Sequence, residues 1–264
     1  MANMTVLITG ASTGIGKATA QYFLDNGWNV CATMRDVSKA TFSVEERKGS
    51  LLITELDVTK SDTIDDAIEA CIGKFGNIDV LVNNAGFGVF GPFETISNDQ
   101  VRSQFETNVF GLTEVTRRVL PLMRKKQSGV VINVSSVAGV LTFAKGGIYS
   151  ATKYAVEAFT EALSYEMSPF GIKVCLVQPG LIDTSFQYNQ RLGELEIDGY
   201  EKEEGLVIKE GGSSPHSVAK VIYRASIDDR KKLRYQAGKL AKISVFLRRV
   251  IPDMIWRKLI SLSM

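Results

Sequence analysis

The feature that most restricts the fold is an alternation, between Thr5 and Gln178, of short apolar runs with segments of helical period. The runs predict strands at Thr5 to Thr9, Asn29 to Thr33, Leu51 to Leu56, Val80 to Asn83, Gly129 to Val134 and Ile172 to Gln178. They are almost continuously apolar, as strands are when helices cover both faces of a parallel sheet. We therefore predict a doubly wound, Rossmann-type α/β fold with helices on both faces, in a single domain over residues 1–264.

The content of charged residues, histidine and cysteine limits the partners and the cellular compartment that we expect. The chain has 31 basic and 29 acidic residues, so it lacks the positive charge of a nucleic-acid-binding protein, and we expect no nucleic-acid partner. One histidine, His216, and three cysteines without metal-ligand spacing predict that no metal is bound. The run Met4 to Ile8 is too short for a signal peptide, and we expect reduced thiols in a cytoplasmic protein.

Two segments interrupt the alternation. The first, Gln187 to Ser213, is polar and rich in glycine and follows a strand end, which predicts a substrate lid over 187–213; a disordered insertion has the same composition. The second, 239–264, predicts a C-terminal helical extension interrupted at Pro252. Its apolar face consists of Ile243, Phe246, Leu247, Val250 and Ile251. We expect this face to pack on the domain, with membrane-surface contact as the alternative.

A glycine-rich turn connects the first predicted strand to the first predicted helix. It reads Thr9-Gly10-Ala11-Ser12-Thr13-Gly14-Ile15-Gly16. Glycine permits positive φ and lets backbone amides approach an anion at the N-terminus of a helix. Because the turn follows the first strand of a parallel sheet, it predicts a dinucleotide site rather than a plain connection.

The end of the second predicted strand bears on the choice of dinucleotide. An NAD site places an acidic residue there, against the ribose 2′-hydroxyl. The sequence instead reads Thr33-Met34-Arg35-Asp36, and Arg35 can pair with a 2′-phosphate. We predict NADP(H) rather than NAD(H), although a shift of one residue would bring Asp36 to the ribose.

Candidate reacting groups lie on the helix predicted from Tyr149 to Ser168. Tyr149 and Lys153 are one helical turn apart and share a face. A tyrosine with an ordinary pKa of about 10 handles protons slowly unless a cation stabilises its phenolate, and Lys153 can supply that charge. Ser136, at the end of a predicted strand, could hold a substrate oxygen, although Ser135 is its neighbour and either serine could merely cap a turn.

Taken together, these motifs resemble those of the short-chain dehydrogenase/reductase family. They are TGASTGIG from Thr9, Asp57-Val58, NNAG from Asn83, Asn108, NVSS from Asn133, Tyr149-x-x-x-Lys153 and Pro179-Gly180. The resemblance implies a catalytic set of Asn108, Ser136, Tyr149 and Lys153, with Asn108 supporting a proton relay. It implies a cofactor site lined by Gly10, Ser12, Thr13, Gly14, Ile15, Gly16, Arg35, Asp57, Val58, Asn84, Ala85, Gly86, Tyr149, Lys153, Pro179, Gly180, Ile182 and Thr184.

The resemblance also implies substrates and assembly. The segments Val30 to Asp36 and Arg248 to Asp253 are similar to the 17β-hydroxysteroid and retinol dehydrogenase branch, which implies a bulky apolar carbonyl or alcohol substrate. Apolar residues near the expected site agree with this; they are Phe87, Val89, Val137, Leu141, Phe143, Leu181 and Phe186. The alternatives are a 3-oxoacyl-carrier ketoreductase and a silent NADPH sensor. A homodimer or homotetramer is implied by the family.

Overall fold

The centre of the protein is a seven-stranded parallel sheet, seen in a computed structural model that describes residues 3–42, 50–184, 186, 190–200, 212–230, 232–238 and 240–261. The strands are β1 (Thr5–Ile8), β2 (Asn29–Met34), β3 (Leu51–Glu55), β4 (Val80–Asn83), β5 (Val89–Phe90), β6 (Gly129–Val134), β7 (Ile172–Pro179), β8 (Arg191–Leu192) and β9 (Arg234–Ala237). The sheet order is β3-β2-β1-β4-β6-β7-β9, while β5 and β8 pair separately. The order reverses direction at β1, so the crevice of a doubly wound sheet opens between β1 and β4.

Helices cover both faces of this sheet. They are α1 (Gly14–Asp25), α2 (Ser61–Phe75), α3 (Asn98–Phe105), α4 (Leu112–Lys126), α5 (Gly147–Met167), α6 (Pro215–Ile227), α7 (Ala241–Val250) and α8 (Asp253–Ser261). In β1, Leu7 belongs to the apolar core under α2 and α4, whereas Ile8 belongs to the core under α1 and α6. Successive residues of a strand point to opposite faces, so burial of both faces explains the continuous apolar runs.

The predicted doubly wound α/β fold and its six strands are confirmed. The first strand ends one residue early, at Ile8, because the turn begins as soon as Gly10 adopts φ +68°. The paired strands β5 and β8 were not predicted, since two residues carry no periodic signal. The helix predicted from Tyr149 begins at Gly147. At the start of α6 the Ser214 side chain accepts a hydrogen bond from the backbone amide of Ser217 and so caps the helix.

The C-terminal helical extension is present as α7 and α8, but the expected packing of its apolar face is wrong. The α7 residues buried against the domain are Ala241 and Val245. The predicted face lies largely in solvent, and Phe246 is 63% exposed. Because Ala241 is small and Gly180 has no side chain, α7 lies close to the backbone at Gly180, where a built Cβ would lie 3.4 Å from the Ala241 Cβ. No helix of the described segments is long and apolar enough to cross a bilayer.

The predicted lid lies partly outside the described residues, which omit 187–189 and 201–211. Its described part, 190–200, contacts the chain that follows β4. Strand β8 pairs in parallel with β5, Gln100 Nε2 donates to the Leu192 carbonyl at 2.7 Å, and the Leu195 amide donates to the Thr95 carbonyl at 2.9 Å. The 190–200 segment is therefore fixed beside β5.

Candidate active site

The glycine turn at the carboxyl end of β1 has a geometry that larger residues cannot adopt. Gly10 and Gly14 have φ of +68° and +56°, in the left-handed region that favours glycine. A Cβ built at Gly16 would lie 2.2 Å from the Gly10 carbonyl oxygen. The first turn of α1 therefore packs directly against the loop that follows β1.

Two side chains hold this turn in place. Thr9 Oγ1 accepts hydrogen bonds from the Asn84 and Ala85 amides at 3.0 and 3.1 Å. Asn84 Nδ2 donates to the Thr9 and Gly10 carbonyls, each at 3.0 Å. The turn is also joined to β2, because the Ala11 amide donates to the Thr33 carbonyl at 2.8 Å. Thr9 was overlooked as a site residue; its place at a strand end before the first glycine was the available signal.

The N-terminus of α1 fits an anionic group. The residue before the helix, Thr13, makes no side-chain cap, and the first turn contains no acidic residue. Helix amides without internal partners and the positive end of the helix dipole both attract an anion such as a pyrophosphate. Thr184, from the loop after β7, approaches this turn, since a Cβ built at Gly14 would lie 3.4 Å from the Thr184 Cβ. Ser12 and Ile15 lie on the same turn, partly buried.

The end of β2 lies beside this turn. Met34 is buried, and Arg35 is exposed immediately after the strand. The Asp36 carboxylate accepts hydrogen bonds from the Ser38 amide at 3.0 Å and hydroxyl at 2.6 Å and pairs with Lys39 at 3.5 Å. The hydrogen bonds from Ser38, with a smaller contribution from Lys39, hold the Asp36 pKa below its usual value. Asp36 is thus engaged in the following turn, which argues against the shifted register that would bring it to a ribose.

The remaining predicted cofactor residues lie at the same edge of the sheet. The Asp57 carboxylate accepts from the Thr59 amide at 3.0 Å, and Val58 is buried against Gly111. Pro179 ends β7 and is buried. The Gly180 amide that follows it donates to the Ala237 carbonyl, and Ile182 forms a β-bridge with Ser213.

Helix α5 and the end of β6 bring the candidate reacting groups together. Ser136 lies close enough to the Tyr149 phenol to lower its pKa, and the Ser136 Oγ accepts from the Ala138 amide at 3.1 Å. Ser136 is therefore the serine that meets the phenol. Lys153 is buried, lies 5.8 Å from the centre of the Tyr149 ring, and donates from Nζ to the Val134 carbonyl at 2.9 Å.

Burial controls the protonation of these groups. It raises the pKa of Tyr149 to about 12, against an opposing effect of the Ser136 hydrogen bond, so the phenol is protonated at neutral pH. Burial also lowers the pKa of Lys153 to about 8, while the negative charge of Glu157 acts in the opposite direction. Glu157 is itself buried and accepts from Gln178 at 2.9 Å and from Arg234 at 2.9 Å. A charged ammonium beside a neutral phenol is thus the state at neutral pH.

Asn108 lies in a π-helical segment, Glu106–Gly111, that joins α3 to α4. Its Oδ1 accepts from the Phe87 amide at 3.0 Å, and its Nδ2 donates to the Phe87 carbonyl at 2.9 Å and to Thr152 Oγ1 at 3.2 Å. Helical irregularities of this kind are frequent at functional sites. The side chain ties the loop after β4 to α5; Gly86 in that loop has no room for a Cβ, which would lie 2.9 Å from Asn108 Oδ1.

Aromatic rings surround the Tyr149 phenol. The Phe90 ring lies 5.3 Å from that of Tyr149, and Phe186 lies 5.7 Å from it on another side. Phe143 stacks on Phe90 at 6.3 Å. Val89 and Phe90 are both buried, and as neighbours in β5 their side chains point to opposite faces of the strand. Phe87 lies under the Arg191 guanidinium, 4.5 Å from its ring centre.

Comparison with known proteins agrees with this geometry. The profile of the family described as short chain dehydrogenase matches residues 4–194. The chain belongs to the short-chain dehydrogenase family. A relative from Bacteroides thetaiotaomicron, named 3-ketodihydrosphingosine reductase, is 38% identical over 90% of this chain and 89% of its own.

Solved structures of the family share the fold. A short-chain dehydrogenase from Streptomyces avermitilis superposes with a TM-score of 0.85 at 33% identity, over 100% of this chain and 97% of its own. A 3-ketoacyl-(acyl-carrier-protein) reductase from Brucella melitensis, complexed with NADH, has a TM-score of 0.77 at 25% identity, over 88% of this chain and 96% of its own. The protein is accordingly an oxidoreductase that acts on alcohol or carbonyl groups of small molecules with a nicotinamide nucleotide.

Proposed function

We propose that the protein interconverts a carbonyl and a primary or secondary alcohol with NADP(H), on a bulky apolar substrate. The observation that carries this proposal is the position of Tyr149, which lies 5.8 Å from Lys153 Nζ, beside Ser136 and among the rings of Phe90 and Phe186. It unites a proton donor, a cation and an apolar surface at the carboxyl edge of the sheet, where open α/β sheets bind their ligands.

The chemistry follows from the protonation states. In the reductive direction the Ser136 hydroxyl holds the substrate oxygen, and the Tyr149 phenol gives it a proton as negative charge develops there. Lys153 stabilises the phenolate that remains, which lowers the cost of the transfer. Bound nicotinamide supplies the hydride in this direction and accepts it in the other. Asn108 keeps α5 and the Phe87 loop in register, and we assign its support of the proton relay to this positioning.

The glycine turn, Asn84 and the N-terminus of α1 would hold the dinucleotide, with Pro179, Gly180, Ile182 and Thr184 on the nicotinamide side. Arg35 supports NADP(H), because it is exposed at the end of β2, whereas the neighbouring carboxylate of Asp36 is engaged with Ser38 and Lys39. Since the Brucella enzyme carries NADH, family membership alone leaves the choice to such local residues.

The aromatic enclosure supports an apolar substrate, and the Bacteroides relative is named for the reduction of a ketone, 3-ketodihydrosphingosine. A 3-oxoacyl-carrier substrate is the second candidate, favoured by the Brucella neighbour. We further propose that segment 190–200 borders the substrate as part of a lid. A homodimer in the cytoplasm remains our expectation for assembly and location.

The first test replaces Tyr149 with phenylalanine. Tyr149→Phe should lower ketone reduction by about 10²- to 10⁴-fold, the usual contribution of general acid catalysis, because the proton donor is lost. NADPH affinity, followed by fluorescence titration, should change little, since the ring remains. A Tyr154→Phe variant, altered one turn away on α5, should keep its activity. If Tyr149→Phe keeps full turnover, Tyr149 is not the proton donor, and the alternative that the protein is a silent NADPH sensor is wrong as well.

The second test concerns the 2′-phosphate. Arg35→Ala should weaken NADPH binding by about tenfold or more while leaving NADH binding nearly unchanged, because a hydrogen bond to a charged group contributes roughly 1.5–3 kcal/mol. Lys39→Ala, a nearby exposed cation paired with Asp36, serves as control. Equal losses of NADPH and NADH binding in Arg35→Ala would contradict the assignment of Arg35.

A further inference from the structure

The C-terminal helices present an apolar surface that the described residues of the domain do not cover. On α7, Ala241 and Val245 contact the domain and are 1% and 4% exposed. The other side of this helix carries Ile243, Phe246 and Val250, which are 56%, 63% and 56% exposed. An amphipathic helix normally buries its larger apolar residues, and α7 does the reverse.

Helix α8 continues this surface. Met254, Ile255 and Leu259 are 82%, 50% and 48% exposed, and none of the side chains described at 253–260 is buried. A helix of nine residues has little stability by itself in water, so α8 needs a surface to pack on. Arg248 fixes the corner between the helices, because it pairs with Asp253 at 2.8 Å and lies 5.8 Å from the Trp256 ring centre.

The charge of the same segment is strongly positive. Residues 240–261 contain five basic residues and one acidic residue, in a chain whose totals are nearly balanced at 31 and 29. The basic residues are Lys242, Arg248, Arg249, Arg257 and Lys258, and the acidic one, Asp253, pairs with Arg248. Exposed apolar side chains flanked by cations are typical of helices that lie in the headgroup region of an anionic bilayer.

We propose that α7 and α8 bind the surface of an anionic lipid bilayer. A second copy of the chain is the competing occupant of this face. A two-fold interface would bring five cations of each copy together, and that repulsion opposes dimerisation here, whereas an anionic bilayer turns the same charges into attraction. Each cation near such a surface contributes about 1 kcal/mol, in addition to the insertion of Phe246 and its neighbours.

The proposed surface adjoins the candidate active site. Helix α7 contacts the turn Val137–Gly139, directly after Ser136, and it packs against Gly180 at the end of β7. An apolar substrate dissolved in the bilayer would therefore meet the enzyme on the side that binds it. This last point rests on the proposed function; lipid binding itself does not.

The test is sedimentation of the full chain with vesicles. Vesicles of equal phosphatidylglycerol and phosphatidylcholine should bind the protein at least about tenfold more strongly than pure phosphatidylcholine, and 0.5 M salt should weaken that binding. Phe246→Ser with Val250→Ser should reduce binding about tenfold or more, because two exposed apolar groups are lost. Lys242→Gln with Arg249→Gln should reduce the preference for anionic vesicles by about tenfold or more, because two of the five cations are lost.

The control is Tyr165→Ser, a residue 68% exposed on α5, which should bind vesicles like the unaltered protein. All variants should keep their melting temperature and their turnover of a water-soluble ketone, because the altered side chains are exposed and lie outside the site. Binding that is absent, or unaffected by both double substitutions, would overturn the proposal. So would light scattering that shows a dimer dissociated by Phe246→Ser together with no vesicle binding. Vesicle binding without any ketone turnover would leave this proposal standing and reject the proposed function.

Discussion

The cofactor side and the substrate side of the site are built in different ways. The proposed cofactor side is a turn of consecutive residues whose backbone would do the binding, held by Thr9 and Asn84 through hydrogen bonds of 3.0 Å. The substrate side joins Phe90, Phe143 and Phe186, which are far apart in sequence and meet only through side chains around Tyr149. The first construction tolerates almost no substitution, whereas the second can change its shape residue by residue. We therefore expect a single substitution to have a different effect on the cofactor side than on the substrate side.

Of the tests that compare the two sides, the one on the cofactor side should have the largest effect. Gly16→Ala places a methyl group 2.2 Å from the Gly10 carbonyl oxygen, so the turn must move. NADPH affinity, measured by fluorescence titration, should fall by about tenfold to a hundredfold, since overpacking costs about 1–3 kcal/mol. Gly73→Ala is the matched control in α2, where an added Cβ meets nothing within 4 Å. Unchanged affinity in Gly16→Ala would show that the turn is less rigid than its packing indicates.

A smaller and more selective effect is expected on the substrate side. Phe90→Ala opens the enclosure of Tyr149 and should raise KM for a bicyclic ketone such as 2-decalone by roughly tenfold, since an aromatic contact and its buried area contribute about 1–3 kcal/mol. KM for 2-butanone and the affinity for NADPH should change much less. Phe93→Ala, a neighbour that is 71% exposed, is the control. An equal rise of KM for both ketones would mean that Phe90 acts on the fold rather than on substrate size.

The smallest effect is a displacement of the pH profile. Burial lowers the pKa of Lys153 to about 8, so its charge is lost as pH rises through that value, and kcat/KM for ketone reduction should fall there. Glu157 raises this pKa, so Glu157→Gln should move the alkaline limb to lower pH. Glu161→Gln is the control, because Glu161 also binds Arg234 but is one turn further from Lys153. A limb that stays in place or moves upward in Glu157→Gln would contradict the coupling.

The same contrast explains what the sequence could predict. The sheet, its strand ends and the glycine turn were predictable from residue type. Strands that are buried on both faces consist mainly of apolar residues, and a backbone with positive φ favours glycine. Tyr149, Lys153 and Ser136 were found by helical spacing and by a strand end. Phe90, Thr152 and Glu157 were not, since their roles depend on contacts between segments that no local pattern encodes. The face of α7 was misjudged because its periodicity identifies an apolar stripe but not the surface that covers it.

The ion pair between Glu157 and Arg234 joins a helix of the site to a strand that is synthesised later. The glycine turn, Ser136, Tyr149 and Lys153 all precede Arg234, which begins the last strand of the sheet. Until β9 is added, the buried Glu157 carboxylate lacks the guanidinium that lies 2.9 Å from it in the finished protein. A chain released early thus carries every reacting group but an unbalanced charge one helical turn from Lys153. The electrostatic setting of the site is complete only after β9 has been synthesised.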